Sequence, residues 1–307
     1  MSESVFLELL KQSDASTRTA TAELIDELSL GVTLTTNQAR FGTEIAHFFH
    51  SFDAGADLHP LRHLVWSRLS YVLGPMHPSE TAFDAETELA VQKAFFDHTW
   101  TKPLAEMVGM ISKVPDAEGL MLSDIATMLN DGAARHADGI VSFQQVLSDE
   151  LRGAVDLCAD MAVGVVSDIA EKKGGQPIAR DTPQWKQCRS MCANLLFHAL
   201  ERNPGTRLQL RTMYIEACLH AAFRWDKKRR FSGNDLYDFN HASAALAYCH
   251  AFFTDHPLRT LIASNNVALD RLYGCRVVSD VAEAVGLLKT LMVNDDTPRS
   301  ALQREDA

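Results

Sequence analysis

Carboxylates follow two short segments that the sequence predicts as strands. Residues 32–35 (Val-Thr-Leu-Thr) and 251–254 (Ala-Phe-Phe-Thr) are rich in β-branched or aromatic side chains. Glu44 lies about two turns into the helix predicted after the first segment, and Asp255 directly follows the second. Because ligands gather outside the carboxyl ends of parallel strands, these two acids are the first candidates for chemistry.

The Ala-rich segment 235–250 (DLYDFNHASAALAYCH) predicts a helix that carries two more acids. Asp235 opens this helix, and since any helix N-terminus favours a carboxylate, we interpret Asp235 as a cap. Asp238 lies one turn further along, on the same face as His241. Asp238 is therefore the more informative of the two acids.

Carboxylates that converge at strand ends repel one another and stay ionised together only if a cation neutralises them. Hard oxygen ligands select Mg²⁺ or Mn²⁺. Such an ion polarises a phosphodiester and activates water for in-line attack. Convergence of these acids therefore predicts a metal site for phosphodiester hydrolysis.

A basic run directly precedes the predicted acid-bearing helix. Its aromatic neighbours, Trp225 and Phe231, are able to stack on bases, while its cations neutralise phosphates. An alternative interpretation is a solvated loop with a tryptophan anchored in the core. The nucleic-acid-binding residues predicted from this run are Arg224, Lys227, Lys228, Arg229 and Arg230.

The charge of the chain is unevenly distributed. The formal net charge is −11, yet residues 172–230 carry 13 basic and 4 acidic residues, which leaves +9 there and −20 elsewhere. This distribution suits a protein that binds phosphates with one face while an acidic site performs chemistry. A solvated helix face is the alternative.

The elements that position these residues follow from the hydrophobic period and from glycine and proline. Near the N-terminus, a helix over 17–30 ends at Gly31, and a helix running to residue 52 follows the first strand. The middle, from about 58 to 226, is predicted as almost wholly helical, including 61–72. The last 75 residues alternate between helix and strand, with predicted segments at 235–250, 251–254, 258–272, 275–279 and 280–292.

Helix and strand alternation at both ends favours parallel pairing. We therefore predict an α/β protein that is predominantly helical, with one small parallel sheet built from both chain ends and a large all-helical insertion. The predicted division is 1–55 and 231–307 for the two parts of the α/β domain and 56–230 for the insertion.

The C-terminal residues resemble a known family. Asp238, His241 and the alanines after them, then 252–255 (Phe-Phe-Thr-Asp) and 275–279 (Cys-Arg-Val-Val-Ser), resemble the C-terminal half of PIN-like ribonuclease domains. The similarity covers about 60 residues there and, by the position of Glu44, about 35 near the N-terminus. The resemblance implies a PIN-like sheet, and the helical middle is then an insertion in the PIN-like domain.

Two features depart from the family pattern. PIN-like domains open with a strand that ends in Asp, whereas this chain offers residues 5–8 (Val-Phe-Leu-Glu). That segment is either a strand whose Glu8 replaces the acid or the first turns of a helix. In addition, His256 stands where many members have an acid.

The resemblance implies a Mg²⁺- or Mn²⁺-dependent endoribonuclease whose partner is RNA, and the scattered cysteines favour a cytoplasmic location. Toxin-like or defence-associated RNA cleavage fits it, with a protein inhibitor or a second copy of the chain as a further partner. Glu44, Asp238 and Asp255 are the predicted metal ligands and catalytic residues. The predicted supporting residues are Asp235, His241 and Thr254.

Two other functions remain open at this point. One is a non-catalytic helical protein-interaction module with a degenerate PIN-like sheet, and the other is a helical metal enzyme built on His47, His50, His59 and His63. No apolar run approaches the roughly 18 residues of a membrane span, so we expect no membrane partner. Six scattered cysteines favour reduced thiols in a cytosol.

Overall fold

A computed structural model describes residues 2–53, 57–69, 81–111 and 117–295 of the chain. The chain divides into two compact units, Met1–Ala244 and Ala245–Ala307, which we describe separately. The boundary falls inside one helix, Gly233–Tyr248. The described residues are predominantly helical, as predicted.

The first unit contains most of the helices. Its described elements, in chain order, are α1 (Glu3–Leu10), α2 (Ala15–Ser29), β1 (Val32–Leu34), α3 (Asn37–His50), α4 (Leu61–Leu64), β2 (Trp66–Arg68), α5 (Ala85–Trp100), α6 (Leu104–Ile111), α7 (Ala117–His136), a 3₁₀ turn (Ala137–Gly139), α8 (Phe143–Lys172), α9 (Pro183–Arg202), α10 (Pro204–Gln209), α11 (Arg211–Trp225) and α12 (Gly233–Tyr248).

The second unit alternates strand and helix, as the sequence predicts. After the end of α12, its described elements are β3 (Ala251–Phe253), α13 (His256–Ile262), α14 (Leu269–Tyr273), β4 (Arg276–Val278) and α15 (Val281–Asp295). The single helix predicted over 258–272 is wrong, because the chain turns between α13 and α14, where Ala268 takes a left-handed backbone conformation.

The long helix α8 forms the centre of the first unit. It packs against α3, α9 and α11, and its inward face buries Leu147, Leu151 and Val155. These residues recur every four positions, so they share one face of the helix. The N-terminal helix α3 therefore packs on the helices of the predicted insertion.

The strands do not form the single sheet predicted from both chain ends. Instead, β1 pairs antiparallel with β2, with Leu34 opposite Trp66, and β3 pairs parallel with β4, with Phe253 opposite Val278. The prediction failed because β2 lies in 61–72, which was predicted as helix and of which 70–72 lie outside the described residues. The connection from β1 to β2 contains α3 and α4, so this antiparallel pair is not a tight hairpin.

The N-terminal segment is helical, which settles the alternative left open for residues 5–8. Phe6 and Leu9 of α1 are buried, three residues apart on one helix face, and they join a cluster with Ala22, Leu69 and Leu104. This burial stabilises helix rather than strand at this position. Glu8 therefore projects from a helix.

Two further predictions concern the chain as a whole. Among the described helices, none combines the length and apolar character that crossing a membrane requires. All six cysteines lie in the described part of the chain, and each is a free thiol.

Candidate functional site

Glu44 lies in α3 and is fully buried. Its Oε1 and Oε2 accept hydrogen bonds from the backbone N–H of Thr212 at 3.1 and 3.0 Å, and its Oε1 accepts another from Thr212 Oγ1 at 2.6 Å. Thr212 lies in the first turn of α11, whose own N-cap residue, Leu210, supplies no capping side chain. Glu44 therefore caps α11, where a carboxylate also stabilises the helix dipole.

A polar network next to Glu44 connects α3, α11 and α12. Asn37 Nδ2 donates to Glu216 Oε1 at 2.7 Å and to Asn240 Oδ1 at 3.2 Å. Ser243 Oγ donates to the same oxygen of Glu216 at 3.1 Å, and Arg40 Nη2 donates to Asn37 Oδ1 at 3.2 Å. These bonds fix α12 against α3 and α11.

Arg40 is the cation of this network, and its side chain is only 2% exposed. Burial raises the pKa of Glu216, while hydrogen bonds from Asn37 and Ser243 and the charge of Arg40 oppose that shift. Burial likewise raises the pKa of Glu3, against the backbone N–H of Asn37 and the charge of Arg40. Arg40 therefore stabilises the ionised forms of two carboxyls in a desolvated environment.

The N-terminus of α12 carries the two acids predicted for this helix. Asp235 Oδ2 accepts from the backbone N–H of Ser232 at 2.8 Å and from Ser232 Oγ, while Ser232 Oγ accepts from Asp235 N–H. This reciprocal pair is a capping box, so the prediction that Asp235 caps the helix is confirmed. Asp238 lies one turn further on and is partly buried.

Helix α1 docks on α12 through polar contacts. His241 Nε2 lies 3.0 Å from Glu8 Oε2, and His241 Nδ1 lies 3.5 Å from Ser2 Oγ. Lys11 Nζ lies 3.7 Å from the ring centroid of Tyr237, a cation–π contact. The predicted supporting residue His241 thus joins α12 to the N-terminal helix.

In the second unit, Asp255 is exposed and lies at the carboxyl end of β3, as predicted. Its Oδ1 accepts from the backbone N–H of Leu258 at 2.9 Å, which caps α13. The backbone N–H of Thr254 donates to Val278 O at 2.9 Å and extends the pairing of β3 with β4 by one residue. The parallel pair therefore holds this acid at a strand end.

The part of the chain that the structure describes contains no cluster of three or more His, Cys, Asp or Glu side chains able to hold a metal ion. This applies to the predicted acids as well as to His47, His50, His59 and His63. Sites in which one or two carboxylates hold an ion together with water and substrate lie outside this criterion.

The five predicted nucleic-acid-binding cations fall into two groups. Arg224 forms an ion pair with Glu150 and lies 3.9 Å from Asp149 Oδ2, so its charge is compensated within the protein. The other four cations, residues 227–230, form no ion pair in the described part of the chain. We call residues 226–230 the basic turn.

The basic turn is closed by its own backbone. Asp226 Oδ1 accepts from the N–H of Lys228 at 3.1 Å, and Asp226 O accepts from the N–H of Arg229 at 2.9 Å. Directly after the turn, the N–H of Phe231 donates to Asn130 Oδ1 at 2.7 Å, and Asn130 Nδ2 donates to Phe231 O at 2.9 Å. These bonds hold the turn in one conformation against α7.

Aromatic side chains of α11 and α12 pack against the basic turn and against Phe231, which follows it. The rings of Phe223 and Phe231 stack with centroids 4.2 Å apart, and the Arg229 guanidinium lies 4.4 Å from the Phe223 centroid. His220 packs against Phe231 and Phe239 at 5.4 and 5.2 Å. The alternative of a loop anchored by Trp225 does not describe this arrangement, because Trp225 is exposed and phenylalanines supply the anchor.

His220 makes the stability of the protein depend on pH. Burial, followed by the charge of Arg224, lowers the pKa of His220 from 6.5 to about 4. Between these values the unfolded chain binds a proton that the folded chain does not, so stability falls as pH falls below 6.5. We expect His220→Phe to remove up to about 3 kcal/mol of this loss between pH 6.5 and pH 4.

Urea unfolding of the wild type and His220→Phe across this pH range measures the effect. His198→Phe, which replaces a histidine that is about half exposed, is the matched control. Parallel pH dependence in the wild type and His220→Phe would contradict the assignment.

Sequence reasoning missed the network around Arg40. Glu216 was the available signal, because it is an isolated acid among apolar residues of α11. Its partners come from segments about 180 residues upstream and about 25 residues downstream. No spacing rule connects residues so far apart in the chain.

Comparison with known proteins adds no family to this description. No protein-family model, curated protein or solved structure matches the chain. The function is therefore inferred from the residues themselves.

Proposed function

We propose that the protein is a metal-dependent endoribonuclease of the PIN-like class that holds RNA on its basic turn. One observation carries the proposal: four cations, residues 227–230, are presented on an ordered turn without acidic partners in the described part of the chain. A protein of net charge −11 that keeps four adjacent cations uncompensated has a surface suited to phosphates.

The order of the turn favours binding. Side chains on a fixed backbone lose less conformational entropy when they contact a ligand than side chains on a mobile loop. Arg229, which already stacks on Phe223, keeps its guanidinium edge available for a phosphate. Each phosphate neutralised releases counterions, so binding is expected to weaken steeply with salt.

The resemblance assigns two further acids as metal ligands, Asp238 in the first unit and Asp255 in the second. Asp255 suits Mg²⁺ or Mn²⁺, because it is an exposed carboxylate whose hydrogen bond with Leu258 uses only Oδ1. When bound, the ion supplies charge stabilisation and an activated water. Glu44 does not suit this role, since its buried carboxylate already accepts three hydrogen bonds from Thr212.

The polar network around Arg40 holds α12 in position. Asn37 and Ser243 hold α12 through Glu216, and α12 carries Asp238 close behind the basic turn in sequence. The capping box of Ser232 and Asp235 starts the helix at a defined residue. RNA bound by the turn is thus held next to the start of a fixed helix.

Cleavage of a labelled single-stranded RNA tests the proposal. We expect the full chain to cleave with Mn²⁺ or Mg²⁺ and not with EDTA. Replacing Lys227, Lys228, Arg229 and Arg230 with glutamine should lower kcat/KM by more than about 30-fold, from two or more lost phosphate contacts of about 1 kcal/mol each.

A matched control removes the same charge elsewhere. Glutamine at Lys172, Arg180, Lys186 and Arg202, four exposed cations outside the turn, should leave cleavage unchanged. Equal loss in both variants would show a general charge effect, and RNA left intact by the wild type with either metal would overturn the proposal.

Protein interaction is a second candidate function, favoured by α15. This helix exposes Val281, Val285 and Leu288, which are 80%, 45% and 46% exposed and share one face. A non-catalytic interaction module would leave RNA intact in the cleavage assay. It would also self-associate or bind a protein partner in a manner abolished by Leu288→Glu, as measured by light scattering.

A further inference from the structure

We infer that single-stranded RNA lies in a groove that runs from the basic turn to Arg135 and His136, at the C-terminal end of α7. This inference rests on the proposed function and names the form of the RNA and its path. Neither Arg135 nor His136 belongs to the basic run from which RNA binding was predicted.

Two adjacent cavities form the groove. The smaller lies between the basic turn and α7, and the larger, of about 540 Å³, lies between the end of α7 and the start of α8. Ile140 and Arg224 line both cavities, so the two are neighbours. The groove is therefore longer than the turn alone and reaches the side chains of Arg135 and His136.

Charge favours an anionic chain along the groove. Arg135 is exposed, and its Nε donates to Asp131 O at 3.2 Å, a hydrogen bond that does not use the two terminal nitrogens. Of the acids along the groove, Asp149 faces Arg224, and Asp226 is engaged with the backbone of the turn. The cations of Arg135 and of the turn are left to contact phosphates.

The floor of the groove is apolar beside the basic turn, whereas the larger cavity is lined mainly by polar side chains. The apolar floor is formed by Ala133, Ala134, Ala137 and Ile140, with the buried rings of Phe223 and Phe231 at the end near the turn. Single-stranded RNA presents base faces to such a floor, whereas a duplex presents its backbone and keeps its bases stacked inside. A cavity of about 540 Å³ has the size of a small-ligand site, so it admits one or two nucleotides and not a duplex.

A glycine in the groove wall allows it to be blocked without disturbing the fold. Gly139 lines the larger cavity, and a Cβ built on it meets nothing within 4 Å. Gly139→Trp therefore projects a ring into open space. Gly153, in α8, lies outside the groove lining and is equally unhindered, which makes Gly153→Trp the matched control.

The experiment is a binding titration of a fluorescent single-stranded RNA in EDTA, where no metal-dependent cleavage occurs. We expect Gly139→Trp to weaken binding at least 10-fold and Gly153→Trp to leave it unchanged. A hairpin duplex should bind the wild type more weakly than the single strand, and Gly139→Trp should not affect that residual binding.

The salt dependence tests Arg135 separately. Arg135→Ala should reduce the slope of log K against log salt by about 0.7, the value of one phosphate contact on a single strand. Arg202→Ala, an exposed arginine outside the groove, should leave the slope unchanged.

The outcomes separate this inference from the proposed function. If the wild type binds single-stranded RNA and both Gly139→Trp and Arg135→Ala bind it equally well, the groove is not the path, and RNA binding by the turn stands. If the wild type prefers the duplex, the inference also fails. If the wild type binds no RNA at all, the proposed function fails with it.

Discussion

Asp255→Asn is expected to lower metal-dependent RNA cleavage by more than about 100-fold while leaving the fold intact. Loss of outer-sphere partners of a metal typically costs 10- to 100-fold, so loss of a ligand should cost more. The fold should survive because asparagine caps helices about as well as aspartate, and the cap on Leu258 needs only a side-chain oxygen.

Asp14→Asn is the matched control for this substitution. Asp14 is also an exposed aspartate at a helix N-cap, where its Oδ2 accepts from the N–H of Thr17 at 2.7 Å. Both variants should unfold at the same urea concentration as the wild type, and only Asp255→Asn should lose cleavage. Wild-type turnover by Asp255→Asn, measured at saturating Mn²⁺, would remove Asp255 from the mechanism.

Arg40→Met is expected to cost about 3 kcal/mol of unfolding free energy at pH 7. Methionine fills a similar volume, but it leaves the carboxyls of Glu216 and Glu3 without their cation and Thr35 O without the hydrogen bond donated by Arg40 Nη1 at 2.7 Å. Urea unfolding measures the loss.

The pH dependence distinguishes lost charge from lost packing. Without Arg40 the folded-state pKa values of Glu216 and Glu3 rise further above their unfolded values, so folding binds protons more strongly. The deficit of Arg40→Met should therefore shrink as pH falls from 7 to 5. Arg202→Met, at an arginine 73% exposed, should change stability by less than about 0.5 kcal/mol.

A deficit of Arg40→Met that is the same at pH 7 and pH 5 would assign the effect to packing and contradict the charged network.

Local sequence signals predicted most helices and strands of the fold. Gly31 marks the end of α2, as predicted, because Leu30 and Gly31 both take left-handed backbone conformations with φ of 52° and 70°. The strand candidates at 32–35 and 251–254 coincide with β1 and β3. These features depend on residues within a few positions of one another.

Sheet pairing was not predictable in the same way. The segment Trp66–Arg68 becomes a strand because it pairs with β1, and its own sequence gives no alternation that marks a strand. Because β2 was not predicted, the only strands predicted as partners for β1 were those near the C-terminus. The prediction of one sheet from both ends followed from that omission.

The candidate site was predictable only in part. The basic run and Asp255 were identified from the sequence because each is a local pattern at an element boundary. The compensation of Arg224 by Glu150 and the capping of α11 by Glu44 depend on contacts across 74 and 168 residues. Such contacts determine the role of a charged side chain, and its local sequence does not show them.

Photocrosslinking maps the bound RNA most directly. A single-stranded RNA carrying 4-thiouridine is bound to the full chain in EDTA, irradiated and digested, and the crosslinked peptides are identified by mass spectrometry. We expect crosslinks within 130–140 and 223–231, and we expect them to be lost in the variant with glutamine at residues 227–230. Crosslinks confined to peptides outside these two segments would contradict it.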